Sequence, residues 1–313
     1  MKNISVIIPI SGGADKLGSL LRSLEEQTCP PSEILIVDNG LECAPPPLLQ
    51  ENIRYFHNIG NRTLSGNYNL GAAHATGDLL LMTQQDCWPS EPKTLERLVA
   101  ELKDDVVAST SLVKLPEEVF QTYDFWGKVL MAKWVGTTRQ GISGKFDLIR
   151  KDIFEKIGGY DCEHFRFAGE DIDLCTRLSD HGRVVVTTAE VIHHHHQGNQ
   201  TSAYYVWGKH YMNAEGFGVG LRRHGRKIAK VPYAARWTHH INKFLYPVLL
   251  LVPLFPITTT LFLFVMTNVA QYLSFRAGTI KLPFLLLFNP ILFLTGLGGT
   301  LIGFARGKQT FRP

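Results

Sequence analysis

The stretch Gly77–Pro89, GDLLLMTQQDCWP, decides the fold. An apolar run, Leu79 to Met82, ends abruptly and passes through Thr83, Gln84 and Gln85 to Asp86. Such a run between polar residues reads as a strand buried on both faces, as in a parallel sheet. In open α/β sheets, ligands collect beyond the carboxyl ends of the strands, where an aspartate can hold a divalent cation. A solvated strand-end turn would equally account for one aspartate, so the flanking sequence has to decide.

Upstream, Val6–Ile8 form a strand, Gly12 and Gly13 a turn, and Leu17, Leu20, Leu21 and Leu24 recur at helical spacing. Cys29-Pro30-Pro31 makes a second turn before the strand Ile34–Val37, which ends at Asp38. Ile53–Phe56 read as a short third strand. Asn58 to Gly77 holds a polar, glycine-rich loop and a helix of small residues, with neither the GxGxxG nor the GxxxxGK[ST] spacing of a phosphate-binding loop.

Downstream, Leu95, Leu98, Val99 and Leu102 mark an amphipathic helix, and Val106–Ala108 a strand. The alternation of strand and helix predicts an α/β fold, with a mixed, mainly parallel sheet and helices on both faces. Between Leu115 and Gly144 the pattern breaks around Tyr123, Phe125, Trp126 and Trp134, which either pack in the core or form a binding platform. A short helix from Ile149 closes on Gly158-Gly159.

Glu170, Asp171 and Asp173 then fall where a helix begins. Carboxylates there cap free N–H groups and are stabilised by the helix dipole, yet three acids exceed what one cap needs. Asp173 and Arg177, spaced i, i+4, are expected to form a surface or supporting ion pair. After the strand Val184–Val186 comes the run His193–His196. Alternate residues of an extended segment share a face, so His193 and His195 point one way and His194 and His196 the other. An imidazole on the cleft side could complete a metal site with Asp86.

The chain of 313 residues has a net charge of +4, which does not mark a nucleic-acid binder. Its 5 cysteines lack CxxC spacing, against both a zinc ribbon and a disulfide framework, and they fit a reducing, cytoplasmic setting. The N-terminus does not read as a signal peptide. Phe244–Met266 and Leu282–Ala305 carry no charge, and each exceeds the ~20 residues that cross a bilayer core of ~30 Å. Basic residues precede the first run and follow the second, which places both ends in the cytoplasm. The expected organisation is a catalytic domain over 1–225, a basic juxtamembrane linker over 226–243 and a two-helix transmembrane hairpin over 244–313. The protein is then multi-pass in the cell membrane.

Taken in order, VIIPI, EILIVDNG, NYNLGAAHATGDLLLMTQQD, FEKIGGYD and GEDIDLCTRL resemble the family 2 glycosyltransferases of GT-A fold, over about Ile4 to Gly225. The resemblance implies a Rossmann-like GT-A domain that transfers a sugar, with inversion, from a nucleotide-diphosphate sugar donor. It matches Pro9 and Asp38 to positions that frame the nucleotide, with Asn39, Asn69, Gln84 and Gln85 completing the donor-binding set. Asp86 matches the last acid of the family's metal-binding DxD, and His193 or His195 a further ligand for Mg²⁺ or Mn²⁺. Asp171 matches the general base, with Glu170 before it.

Gln84 stands where the family has the first acid of DxD, so the site brings less charge to the metal. The sequence TQQD is similar to a variant in rhamnosyltransferase-like members, which implies a deoxysugar donor. The acceptor implied is a lipid-linked or cell-surface glycan reached at the cytosolic membrane face. A polyprenyl-phosphate glycosyltransferase and a non-catalytic nucleotide-sugar-binding membrane protein are the alternatives.

Overall fold

A computed structural model describes residues 3–10, 16–40, 51–131, 134–135, 138–139, 141–194, 202–232 and 282–310. His195, the apolar run 244–266 and most of the expected linker lie outside these residues.

Three strands begin the sheet: β1 (Ile4–Ile10), β2 (Glu33–Asp38) and β3 (Ile53–His57). Helix α1 (Leu17–Glu25) connects the first two and buries Leu17, Leu20, Leu21 and Leu24, its predicted stripe. Helix α2 (Leu64–His74) leads into β4 (Leu79–Met82), every residue of which is buried. Strands β3, β2, β1 and β4 lie side by side and parallel. Gly71 of α2 sits against the Ile7 side chain, where a larger residue would push helix and sheet apart.

The far half of the sheet departs from the predicted parallel pattern. After β5 (Cys87–Pro89), α3 (Thr94–Glu101) and β6 (Val106–Lys114) come two short helices, α4 (Glu117–Gln121) and α5 (Phe125–Met131). The two-residue strand β7 (Thr138–Arg139) pairs with β6. Strand β8 (Asp147–Arg150) then inserts antiparallel between β4 and β6. Ile149, predicted as the start of a helix, therefore belongs to a strand, and α6 (Lys151–Lys156) follows it. Helix α7 (Glu170–Ser179) leads to β9 (Arg183–His193), parallel to β6 and antiparallel to β5. The sheet is mixed as expected, with its parallel pairings concentrated in the first half.

Two apolar clusters, one centred on Ile8, Leu81 and Leu148 and the other on Ile7, Leu80 and Ile149, fill the two faces. Each buried Leu or Ile contributes about 1.5–3 kcal/mol. Glu33 fastens the edge: it accepts bonds from Ser5 Oγ (2.6 Å) and the Thr76 hydroxyl (2.7 Å), and from Arg54 (3.1 Å). Burial pushes its pKa up, but these bonds outweigh burial and bring it down to about 2.

Helix α8 (Ala203–His224) and helix α9 (Leu282–Arg306) complete the structure. They pack backbone to backbone, Gly218 against Thr300 and Gly303 against Glu215. Trp126 of α5 meets Phe288 edge-on at 5.0 Å, so this part of the aromatic segment packs against the helical layer. Among the described residues, no helix is long and apolar enough to cross a membrane.

Candidate active site

The chain turns sharply at the end of β4. Cys87 N–H donates to Gln84 O (3.0 Å), and the Trp88 indole donates to Gln85 O (3.1 Å). Strand β5 pairs Cys87 with His193, and His194 N–H donates to Asp86 O at 2.7 Å. This register brings His193 Nε2 to 3.3 Å from Asp86 Oδ2. Both side chains are buried. His194 faces the other way and stacks on Trp88, with ring centroids 3.8 Å apart.

The fit of a cation follows from the donor set. Two ligands each about 2.1 Å from one ion in tetrahedral geometry lie about 3.4 Å apart, close to the separation found here. Cys87 Sγ, an Asp86 oxygen and a His193 nitrogen all lie within 4.8 Å of one another. Asp86 and His193 can therefore hold a divalent cation, with the Gln84 amide beside them.

A cleft of about 250 Å³ opens next to Asp86, lined by Pro9, Asn39, Asn67, Gln84 and Gln85. Asn39 Nδ2 donates to Arg62 O (2.7 Å), whereas its buried Oδ1 has no hydrogen-bond partner among the described residues. Asp38 lies beneath, fully buried, accepting from Gly40 N–H (2.6 Å) and from the Tyr55 hydroxyl. Asn69 instead braces the loop after α6, where its amide donates to Tyr160 O (2.9 Å) and accepts from Tyr160 N–H (2.8 Å). Asn67, two residues earlier, is the α2 asparagine that lines the cleft.

Glu170 and Asp171 open α7 behind Gly169, whose φ of 89° belongs to the left-handed region that favours glycine. A Cβ on Gly169 would also collide with the backbone of Gly216 in α8. Burial raises the Asp171 pKa first and the Glu170 charge second, and together they bring it to about 7. Burial likewise raises Glu170, while the charges of Lys145 and Lys209 partly offset it. Glu170 Oε2 is buried with no hydrogen-bond partner among the described residues. Asp173 is fully buried rather than at the surface: Arg177 donates to it at 2.5 Å, and His224 lies 2.8 Å away.

Several residues that hold the site together escape a reading of the sequence. The Tyr68 hydroxyl donates to Gly144 O (2.7 Å) and also reaches Thr83 O (3.2 Å), tying the end of β4 to the turn before β8. Asp147 holds that turn by accepting from Ser143 N–H (2.9 Å) and Gly144 N–H (2.6 Å). Gln309 Oε1 accepts from the N–H groups of Arg166 (3.1 Å), Phe167 (2.8 Å) and Ala168 (3.1 Å), just ahead of the acid pair. The segment expected to be a membrane anchor thus builds part of the acid loop.

Residues 5–158 match the family model described as Glycosyl transferase family 2. O-antigen biosynthesis protein RfbC of Myxococcus xanthus is 27% identical over 222 residues, 60% of this chain and 17% of that protein. Glycosyltransferase AglE of Haloferax volcanii is 24% identical over 193 residues, 57% of this chain and 62% of that protein. The chain covers less than two thirds of the length of either relative. Mannosyltransferase PcManGT from Pyrobaculum calidifontis, solved in complex with GDP-Man and Mn²⁺, superposes with a TM-score of 0.57 at 14% identity, over 96% of this chain and 87% of that one. At that identity the likeness concerns the fold. The family match runs from β1 to the glycine that ends α6, just under half of the chain, and the fold is a mixed, GT-A-like sheet flanked by helices.

Proposed function

We propose that the protein is an inverting transferase that moves a sugar from a nucleotide-diphosphate donor to a hydroxyl of a lipid-linked or cell-surface glycan, at the cytoplasmic face of a membrane. The observation that carries this reading is Asp171, a buried carboxyl group raised to about 7 and near enough to Lys145 and Asp147 to feel their charges. Lys145 lies in the turn that Tyr68 ties to the end of β4, ahead of Asp86, and Asp147 at the start of β8 holds that turn. A group of that proton affinity accepts a hydroxyl proton effectively near neutrality. Pro9, Asn39, Asn67, Gln84 and Gln85 would cradle the donor, with Asn39 Oδ1 available to accept from the base. Asp86 and His193 would hold Mg²⁺ or Mn²⁺, which when bound neutralises charge on the departing diphosphate.

Asp171 would orient the acceptor hydroxyl and take its proton as the sugar is transferred, and Glu170 sustains its basicity through charge repulsion. The membrane side is supported by α9. Its small residues Gly299, Thr300 and Gly303 face α8, while Ile291, Leu294, Leu301 and Phe304 are exposed. The basic residues Arg222 and Arg306 stand near this layer at the ends of α8 and α9, where they suit an anionic lipid surface.

The test is a screen of nucleotide sugars with Mn²⁺, deoxyhexose donors included because of TQQD, run with the wild type and with Asp171→Asn. Transfer by the wild type and its loss in the variant support the reading. Near-normal product from Asp171→Asn refutes the base and points to an acceptor already ionised, such as a polyprenyl phosphate. Donor binding without transfer to any acceptor would favour a non-catalytic binding protein.

A further inference from the structure

We infer that Cys87 is a third ligand of the metal site, so that oxygen, nitrogen and sulfur donors converge on one cation. This inference rests on the reading of Asp86 and His193 as ligands. Cys87 and His193 are directly paired across β5 and β9, and directly opposed residues of a ladder send their side chains to the same face. Asp86 lies in the turn one residue before the strand, free of the strand's alternation, and so delivers its carboxylate to that same point. Sγ lies 3.6 Å from Asp86 Oδ1, and the ligating atoms of the three residues fall within 4.8 Å of one another.

All three side chains are buried, and Cys87 is fixed by packing in the apolar cluster around Leu81 and Val191. A preorganised sulfur loses little freedom on binding, and the thiol passes its proton to solvent as the sulfur–metal bond forms. Thiolate and imidazole favour Zn²⁺ and Co²⁺, whereas Mg²⁺ prefers oxygen ligands and octahedral geometry. The neutral Gln84 works in the same direction, because the site relies less on carboxylate charge. The protein is therefore expected to take Zn²⁺ or Co²⁺ ahead of Mg²⁺.

The experiment is a cobalt titration of the full-length, chelator-stripped protein, read by absorbance. The expected result is a near-ultraviolet sulfur-to-cobalt charge-transfer band that is lost in Cys87→Ser and His193→Ala and retained in Cys162→Ser. Zinc affinity, measured by competition with a chromogenic chelator, is expected to fall about tenfold or more in Cys87→Ser. Cobalt binding to the wild type without the band, or a band that survives Cys87→Ser, overturns the ligand assignment and leaves Asp86 and His193 as ligands. Failure of the wild type to bind cobalt overturns both. Absence of the band in the wild type decides against the assignment even where a variant folds poorly.

Discussion

The hydroxyl of Tyr68 donates to the carbonyl of Gly144 at 2.7 Å, across 76 residues of sequence, and both groups are buried. Removing that hydroxyl leaves the buried carbonyl of Gly144 without this donor. Tyr68→Phe is expected to destabilise the protein by about 1–2 kcal/mol in denaturant unfolding. Donor KM should rise more than kcat falls, because the turn before β8 slackens while Asp171 is untouched.

As the proposed base, Asp171 is expected to set the pH response of turnover. The base must be ionised, so kcat/KM is expected to rise with pH up to about 7 and then level off. Since Glu170 interacts with it strongly, the observed value belongs to the pair. Asp171→Asn should lose about 10²–10⁴ in rate together with this limb. A limb that persists in the variant would assign it to another group.

The same carboxyl group opposes folding at alkaline pH. A raised native pKa means that the native state holds its proton while the unfolded state has released it, so stability falls as pH rises from about 4 to about 7. Asp171→Asn is therefore expected to melt about 2–4 °C higher than the wild type at pH 8. The difference should disappear near pH 3, and scanning calorimetry at the two pH values checks it.

Glu33 acts with the opposite sign. Its native pKa of about 2 lies below the unfolded value, so its contribution is present at neutral pH and is lost as pH falls toward 2. Glu33→Gln is expected to cost about 2 kcal/mol at pH 7 and almost nothing near pH 2, as urea unfolding at both pH values would show.

Gln84→Asp adds charge beside Asp86 in the cleft. Calorimetry is expected to show tighter Mn²⁺ binding, since a second carboxylate adds negative charge and an oxygen ligand for a divalent cation. Unchanged affinity would place the Gln84 side chain outside the metal's reach.

What the sequence reveals is whatever is written locally. The apolar run Leu79–Met82 and the leucine stripes of α1 and α3 each state their structure within ten residues, and β4, α1 and α3 form there. Strand β8 escapes because Leu148, Ile149 and Arg150 run into α6 with no glycine or proline to mark the change. Helix α8 escapes for a related reason: Gly216, Gly218 and Gly220 argue against a helix until Thr300 and the Gly169 backbone are seen pressed against two of them. In the site, Asp86 and Asp171 stand at element ends, where pattern and resemblance both point. Tyr68, Asp147 and Gln309 draw no such notice, because their partners are fixed only by the folded chain. Cys87 is visible as a letter, but only the pairing with His193 shows where its sulfur lies.

Gln309 also has a consequence in time. A ribosome delivers Ala168 141 residues before the glutamine whose amide holds it. The cleft beside Asp86, whose lining residues all precede Asp86 or include it, can form early in synthesis. The acid loop cannot take its final shape until Gln309, which follows α9, has been made. A nascent chain would thus be able to form the cleft beside Asp86 long before the loop that carries Glu170 and Asp171 is held in place.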